Sequence, residues 1–544
     1  MKNLRLKIAE EVLKAAEDLI FADSDYIYDP DHKKHPGGGY HKTEKGWSKI
    51  EEKKDKSTSS PKVEMTSQQK ELDEQSNSDD IWTLLDVAVS VNTHPSTLDK
   101  LSKGKAKVRS AVARNPNTSQ NTLRKLSKDK NKGVRGAVAL NKNTPADIIE
   151  NLSNDKEEYV RGQVAHSSHT PSKIIEKLSN DNSKDVRDYV AMNYNCPKET
   201  LDKLSNDEIY NVRVSVARNP NTSPKTLEKL SNDKEDGVRN TVAKHTNISP
   251  KTLEKLSNDK NSFIRTSVAY NENTSVETLN KLSNDEFYNV RQAVAYNPNT
   301  SSEILEKLSD DEEDDVRNTV ARNTNTSVET LDKLSNDEDK DVRRVVASNP
   351  NTSAETLDKL SNDNDPTVTI SGKKNYVRQA VAYNPNTSTE TLDKLAVDKE
   401  WDVRAGVASN KNISQDAIKK LIKTVSYNNN GLTAVNLSEN PNLSSENIDE
   451  LYSKSYTPNA GIEVKRNLAK HPNTSTEILN KLSNSDDEET SKAAKENLAK
   501  RKPKEVKFDI TKLSPELREK VKDWDAEDIA KFIGWLKKQK EGEV

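Results

Sequence analysis

Arginine and aspartate recur along this 544-residue sequence at fixed distances, and together they could form charged contacts. A Val-Arg dipeptide, once Ile-Arg, returns with a constant period of twenty-six residues, and an aspartate stands six residues before nearly every one of these arginines. Because a guanidinium group pairs bidentately with a carboxylate, the pattern favours an ion-pair or hydrogen-bond ladder between units over a row of phosphate ligands. The arginines of this predicted structural ladder are Arg135, Arg161, Arg187, Arg213, Arg239, Arg265, Arg291, Arg317 and Arg343.

No other group of residues has the spacing of an active site. The sequence has no phosphate-binding glycine loop, no helical metal-ligand motif and no nucleophile elbow, and its eight histidines form no catalytic pattern. His32, His35 and His41 lie near Asp29 and Asp31, but no further ligands accompany them. We therefore predict that the protein is not an enzyme and that it has no catalytic residues, no cofactor and no bound metal.

Overall charge and composition narrow the class of partner. Lys and Arg number 86 against 89 Asp and Glu, and this net charge of -3 makes nucleic acid an unfavoured main partner. No apolar run is long enough to cross a membrane. The single cysteine, Cys196, excludes an intrachain disulfide. Asn-Thr-Ser triplets in many units would be glycosylated in a secreted eukaryotic protein, so we predict a cytoplasmic protein of bacterial or viral origin.

The repeated segments indicate two short helices in each unit. Val342 and Val346 are four residues apart, which places them on one face of a helix of about ten residues. Leu331 and Leu334 typify a second helix with its own apolar face. Thr-Ser-x-Glu segments such as residues 274–277 predict that a threonine caps this second helix in a capping box with the glutamate. Since neither helix buries its face alone, the units must stack into an all-α solenoid.

The unit at residues 337–360, DEDKDVRRVVASNPNTSAETLDKL, resembles the variant leucine-rich repeat in the order of its motifs. That resemblance implies a right-handed superhelix in which one helix of each unit is α and the other can be 3₁₀. The related HEAT-like repeats use two α-helices. The period of this sequence is slightly longer than is usual in the family, and the type of the second helix stays open on sequence grounds.

We predict four segments along the chain. Residues 1–22 form an amphipathic helix, residues 23–80 a flexible polar linker, residues 81–500 a solenoid of about 16 two-helix units, and residues 501–544 a helical cap. Nine extra residues near Pro366–Lys374 interrupt the period with a short β-prone run. This insertion is expected to be a surface loop, either one that binds a partner or one that is merely tolerated.

Positions that vary while the repeat stays constant are the candidates for recognition. The position after each Val-Ala is rich in arginine and tyrosine, which are common at interface hot spots. Aromatic residues before the repeat valine form a second set, and packing between units is the alternative role for both sets. The partner-binding candidates are Arg114, Arg218, Tyr270, Tyr296, Arg322 and Tyr383.

These features together predict a noncatalytic scaffold that presents an extended surface to a protein partner of unknown identity. We expect a monomer unless the chain is part of a larger assembly. One alternative is a structural or assembly component, including a virus-encoded one. Another is a HEAT-like repeat protein that binds nucleic acid, which requires a concentrated basic groove despite the balanced charge.

Overall fold

Short helices make up most of the part of the computed structural model that can be described. The structure describes residues 40–43, 46–49, 65–368, 374–425, 431–454 and 458–501. The chain divides into two compact units, one formed by residues 62–475 and the other by residues 1–61 together with 476–544. The predicted helix at residues 1–22 and nearly all of the predicted cap at 501–544 lie outside the described residues. His32 and His35 lie outside them too.

One helix of each repeat, here called the A helix, contains the Val-Arg-x-x-Val-Ala motif or its equivalent. In Ser262–Tyr270, for example, Ile264, Val268 and Ala269 are fully buried. Within the described residues the A helices are Ile81–Val89, Ala106–Arg114, Lys132–Leu140, Glu158–His166, Lys184–Met192, Tyr210–Arg218, Asp236–Ala243, Ser262–Tyr270, Tyr288–Tyr296, Asp314–Arg322, Lys340–Ser348, Val377–Tyr383, Trp401–Ser409, Gly431–Glu439, Pro458–Lys470 and Glu488–Arg501.

The second helix of each repeat, here called the B helix, carries the Leu-x-x-Leu pair, and it is α-helical. Most B helices are only seven residues long, too short to be stable alone in water. In the described part of the chain they are Pro95–Leu101, Gln120–Leu126, Ala146–Leu152, Ser172–Leu178, Lys198–Leu204, Pro224–Leu230, Pro250–Leu256, Val276–Leu282, Ser302–Leu308, Val328–Leu334, Ala354–Leu360, Thr389–Leu395, Gln415–Thr424, Ser445–Ser453 and Thr476–Leu482.

The two kinds of helix form two layers with a thin core between them. In residues 62–475 each A helix packs against the A helices before and after it, and each B helix packs onto the A helices beside it. Leu279 and Leu282 of one B helix are buried against this layer. The prediction of an all-α solenoid of two-helix repeats is confirmed, and the second helix is α rather than 3₁₀. The right-handed twist stays a prediction from the resemblance.

The caps of the B helices differ from the predicted capping box by one residue. In the units that carry Thr-Ser-x-Glu the N-cap is the serine, as at Ser275, whose hydroxyl accepts a hydrogen bond from the backbone N–H of Thr278. The preceding Thr274 instead donates its hydroxyl to the carbonyl of Val268, 2.6 Å away in the A helix of the same unit. The threonine was therefore wrongly assigned as the cap, because its hydroxyl is buried and bonded to the A helix.

The insertion forms a hairpin and leaves the repeat intact around it. Strand Pro366–Val368 pairs antiparallel with Lys374–Tyr376, with Thr367 opposite Asn375. Beyond the hairpin, the side chain of Asn384 still donates to the carbonyl of Ala347 in the preceding unit, at 2.8 Å. The contact between neighbouring units thus continues across the insertion.

Part of the segment predicted to be a flexible linker is ordered structure. Ser67–Gln75 is a helix with a capping box between Thr66 and Gln69, and it packs against Ile81–Val89. The prediction of a flexible linker as far as residue 80 is wrong for residues 67–75, because the capping box and the contact with the next helix order this polar segment. In the other compact unit, strand Tyr40–Thr43 pairs antiparallel with Gly46–Lys49.

Candidate protein-binding surface

The repeat arginines join neighbouring units. Arg135 binds Asp155 of the next unit bidentately, with its Nε 2.6 Å from Oδ2 and its Nη2 2.9 Å from Oδ1. Its Nη1 donates to the backbone carbonyl of Asp129 in the loop before its own helix, at 2.7 Å. Eleven described arginines form this Nε–Oδ2 contact at 2.6 to 2.7 Å with the equivalent aspartate of the next unit: Arg109, Arg135, Arg161, Arg187, Arg213, Arg239, Arg265, Arg291, Arg317, Arg343 and Arg378.

Each aspartate of this ladder is largely shielded from solvent, as the 7% exposure of the Asp233 side chain illustrates. Burial alone would raise the pKa of Asp233, but hydrogen bonds from Arg213 and from the backbone of Glu235 outweigh it and hold the pKa below its ordinary value. The same balance lowers the pKa of Asp155 and Asp207. The carboxylates of Asp155, Asp207 and Asp233 are therefore ionised at neutral pH, and they are bonded within the protein rather than to a ligand.

Asparagines form a second ladder in the turns between A and B helices. The side-chain amide of Asn297 donates to the carbonyls of Ala269 and Asn271 in the preceding unit, at 2.7 and 3.0 Å. Its Oδ1 accepts the backbone N–H of Asn299. His245 replaces the asparagine in one unit and contacts the carbonyl of Asn219 through Nε2, at 3.0 Å. These polar contacts fix successive units in register, while one face of each A helix stays exposed.

The partner-binding candidates lie on that exposed face. Tyr270, Tyr296 and Tyr383 have 47%, 61% and 44% of their surface accessible, although each ends an A helix whose valines are buried. Arg114, Arg218 and Arg322 occupy the equivalent position in other units and are also exposed. Exposed aromatic rings on a stacked array are a property of binding surfaces rather than of cores.

Tyr270 and Tyr296 come into contact across neighbouring units. Their ring centroids are 5.4 Å apart and their planes meet at 69°, a T-shaped arrangement. Tyr270 also lines a groove of about 500 Å³ together with Lys244, Ser267 and Glu272. The sequence indicated the two tyrosines separately, and the structure joins them into one aromatic pair beside a groove.

The three candidate arginines differ from the ladder arginines in their partners. Arg114 approaches only the hydroxyl of Ser110, at 3.5 Å, and Arg322 the side chain of Asn318, at 3.2 Å. Within the described residues no carboxylate lies within ion-pair distance of Arg114, Arg218 or Arg322. Their charge is therefore available to a partner, whereas that of Arg213 and its equivalents is used within the array.

The aromatic residues that stand just before the repeat valine or isoleucine divide into exposed residues and residues that pack within the array. Phe263 is 75% exposed and lies seven residues before Tyr270, on the same face of the helix. Tyr376 is only 8% exposed and lies 5.3 Å from the guanidinium of Arg378, so it covers the ladder. Tyr159 packs closely over Gly136, where an added Cβ would be 2.7 Å from the ring. Sequence alone did not separate these roles, because all three residues stand two positions before the repeat arginine of their unit. Tyr376 differs in lying in a strand beside the insertion, whereas Phe263 and Tyr159 lie in A helices.

The described residues contain neither a reactive thiol nor a metal-ligand cluster. Burial raises the pKa of the Cys196 thiol to about 12, so the thiol stays protonated at neutral pH. No cluster of three potential metal ligands occurs in the part of the chain that the structure describes. In the same residues no helix is both long and apolar enough to cross a bilayer.

Comparison with known proteins defines the class of repeat. The chain is an α-helical repeat protein, and the family model of the leucine rich repeat variant matches two of its units, at residues 210–235 and 288–313. The resemblance predicted from the repeat sequence is therefore confirmed. No curated protein matches the chain in sequence.

Similar solved structures are repeat proteins of low sequence identity. One, described as a leucine-rich repeat variant with a novel repetitive structural motif, is 24% identical, with a TM-score of 0.32; the match covers 43% of this chain and 88% of that one. Kap121p bound to RanGTP is 13% identical, with a TM-score of 0.34, 78% of this chain and 52% of that one being covered. This chain thus spans about half the length of Kap121p. Kap95p, in a structure with RanGDP, is 12% identical, with a TM-score of 0.32. That match covers 86% of this chain and 75% of Kap95p.

Proposed function

We propose that the protein is a noncatalytic scaffold that binds a protein partner on the exposed face of its A helices. The observation that carries this proposal is the exposed pair of Tyr270 and Tyr296, whose rings meet edge to face across two units beside a groove. Burying such rings on binding removes a large apolar area from water, and each tyrosine hydroxyl can still bond to the partner.

The arginines on the same face supply the second element of recognition. Arg218 and Arg322 occupy the position of Tyr270 and Tyr296 in units on either side. A suitable partner would place apolar side chains against the tyrosines and its own carboxylates near these arginines. Tyr383 lines a separate groove of about 300 Å³ with Arg344 and Ser348, and it would extend the contact along the array.

A site-specific photocrosslinker tests which layer binds. Placed at Tyr296, it should capture a discrete partner from an extract of the source organism. Placed at Val328, which is 45% exposed at the start of a B helix, it should capture little. Equal capture at the two positions would contradict the proposed surface.

Substitution provides the matching loss-of-function test. Replacing Tyr270, Tyr296 and Tyr383 together by Ala should weaken the captured partner's binding by at least about tenfold, the typical loss for hot-spot aromatics. The control is Tyr194→Ala, which removes a ring that is 74% exposed in the turn beyond the A helix. Size-exclusion chromatography with light scattering distinguishes the assembly alternative, because an assembly component should self-associate in isolation.

A further inference from the structure

The balanced net charge of the chain conceals a strongly basic segment near one end of the array. Residues 100–142 contain 13 lysines and arginines and a single acidic residue, Asp129. In contrast, residues 302–341 contain 14 acidic residues and five basic ones. The net charge of -3 therefore averages over regions of opposite sign, and it says little about either region.

Most cations in the basic segment have no carboxylate partner. Arg109 and Arg135 belong to the ladder, Arg124 and Lys125 pair with aspartates of other units, and Lys132 lies 3.6 Å from Glu157. Among the described residues, no carboxylate lies within ion-pair distance of seven exposed cations, here called the basic cluster: Lys103, Lys105, Lys107, Arg114, Lys128, Lys130 and Lys142.

The basic cluster surrounds two neighbouring A helices. Three of its lysines stand at the start of Ala106–Arg114, and Arg114 ends that helix. Lys128 and Lys130 lie in the loop leading into Lys132–Leu140, and Lys142 follows the same helix. The ladder contact between Arg109 and Asp129 locks these helices together, so the cations are presented on a fixed support.

We propose that the basic cluster binds the phosphate backbone of a nucleic acid, in addition to the protein-binding surface described above. Six of the seven cations are lysines, which are depleted at protein–protein interfaces. Interfaces with nucleic acid are much more positively charged and rely on contacts to phosphates. Trp82, 70% exposed on the preceding A helix, offers a ring on which a base can stack.

An anionic membrane fits the cluster less well. Membrane attachment through a helix needs an apolar face to insert beside the charges. The valines and most of the alanines of Ala106–Arg114 and Lys132–Leu140 are instead buried within the array. The exposed apolar residues Trp82, Val89 and Val91 lie in or just after the neighbouring helix, outside the segment that carries the cations.

Fluorescence anisotropy with the full chain tests the proposal. The probes are a labelled 20-nucleotide single-stranded DNA and a 20-base-pair duplex, titrated at several salt concentrations. We expect at least one of them to bind, with affinity that falls steeply as salt rises. The test variant carries Lys105→Gln, Lys107→Gln, Lys130→Gln and Lys142→Gln.

Because each lost phosphate contact lowers the salt slope by about 0.7 on single-stranded and 0.9 on duplex DNA, the loss of four contacts should make the slope shallower by about three to four. Binding should be at least about tenfold weaker. A matched control changes four exposed lysines elsewhere on the array, Lys198, Lys225, Lys251 and Lys260, to Gln, with the same loss of charge. The control variant should lose less than about threefold in DNA-binding affinity. Circular dichroism should show that both variants are folded.

Several results would overturn the proposal. They are the absence of binding to either DNA at about 50 mM salt, equal losses in the two variants, or tighter binding to a polyglutamate peptide or to phosphatidylserine vesicles. Salt-sensitive self-association that depends on the four lysines would also overturn it, because a second copy's acidic segment would then be the ligand. None of these results bears on the tyrosine surface, which is tested with a protein partner.

Discussion

At the residue scale, each ladder arginine satisfies two units at once. Arg213 donates to both carboxylate oxygens of Asp233 in the next unit and to the backbone carbonyl of Asp207 before its own helix. Both side chains of the ion pair are less than a tenth exposed. Removing one partner would leave the other charge poorly solvated, which is the most destabilising way to disrupt such a pair.

We therefore expect Asp233→Ala to lower the local free energy of unfolding by about 2 to 4 kcal/mol. The control is Asp147→Ala, since Asp147 and Arg124 also pair bidentately but are each about half exposed, at 54% and 51%. That change should have little effect. Hydrogen exchange around residues 210–235 measures the loss; equal protection in the two variants would show that the ladder is not stabilising.

The ladder aspartates should also make the stability of the fold sensitive to acid. The pKa of Asp155, Asp181 and Asp259 is held below the ordinary value, because arginine and backbone hydrogen bonds outweigh the opposing effect of burial. A depressed folded-state pKa contributes stability that is complete above an unfolded pKa of about 4 and is lost as pH falls through the folded value. Thermal midpoints should thus decline steeply below about pH 4. A midpoint unchanged between pH 5 and pH 2 would contradict this expectation.

At the element scale, the turn between A and B helices depends on a side chain that reaches back one unit. His471 performs this role in place of asparagine: its Nε2 lies 3.1 Å from the carbonyl of Asn440, and its Nδ1 accepts the backbone N–H of Asn473 at 3.2 Å. Only the neutral ring with a proton on Nε2 makes both contacts. Burial lowers the pKa of His471, against a weaker opposing effect of the Asn440 carbonyl.

A lowered histidine pKa means that the unfolded chain binds the proton more readily. The stability contributed here is complete above the unfolded pKa of about 6.5 and declines as pH falls toward the folded value. His471→Asn restores the usual residue and should remove this dependence. Hydrogen exchange around residues 440–473, compared at pH 7.5 and 5.5 after correction for intrinsic rates, measures it. The same pH dependence in both proteins would exclude His471 as its source.

The hairpin provides a second test at this scale. Removing residues 366–374 places Arg378 six residues after Asp363, which restores the spacing of the other units. In the intact chain Arg378 already donates to the carbonyl of Asp363, at 2.6 Å. We expect the shortened protein to keep its helical circular dichroism and to melt within a few degrees of the parent. Loss of cooperative melting would show that the hairpin is part of the core.

At the scale of the whole molecule, the sequence predicted the architecture because one constant period repeats both helices and their contacts. It could not decide whether Thr274 or Ser275 caps a helix, because the two residues are adjacent. Nor could it separate Phe263 from Tyr376, which share one repeat position but are exposed and buried respectively. The helix at Ser67–Gln75 was missed because it is polar. The basic cluster was missed because opposite charges elsewhere cancel it in the total.

The stacking of units is what orders each of them, since a seven-residue B helix and a nine-residue A helix are too short to persist alone. The most direct test is equilibrium denaturation of fragments containing two, four, six and eight consecutive units from residues 184–395. We predict that the two-unit fragment is unfolded and that the free energy of unfolding rises with each added pair. A two-unit fragment that is fully helical and as stable as the eight-unit one would contradict the account.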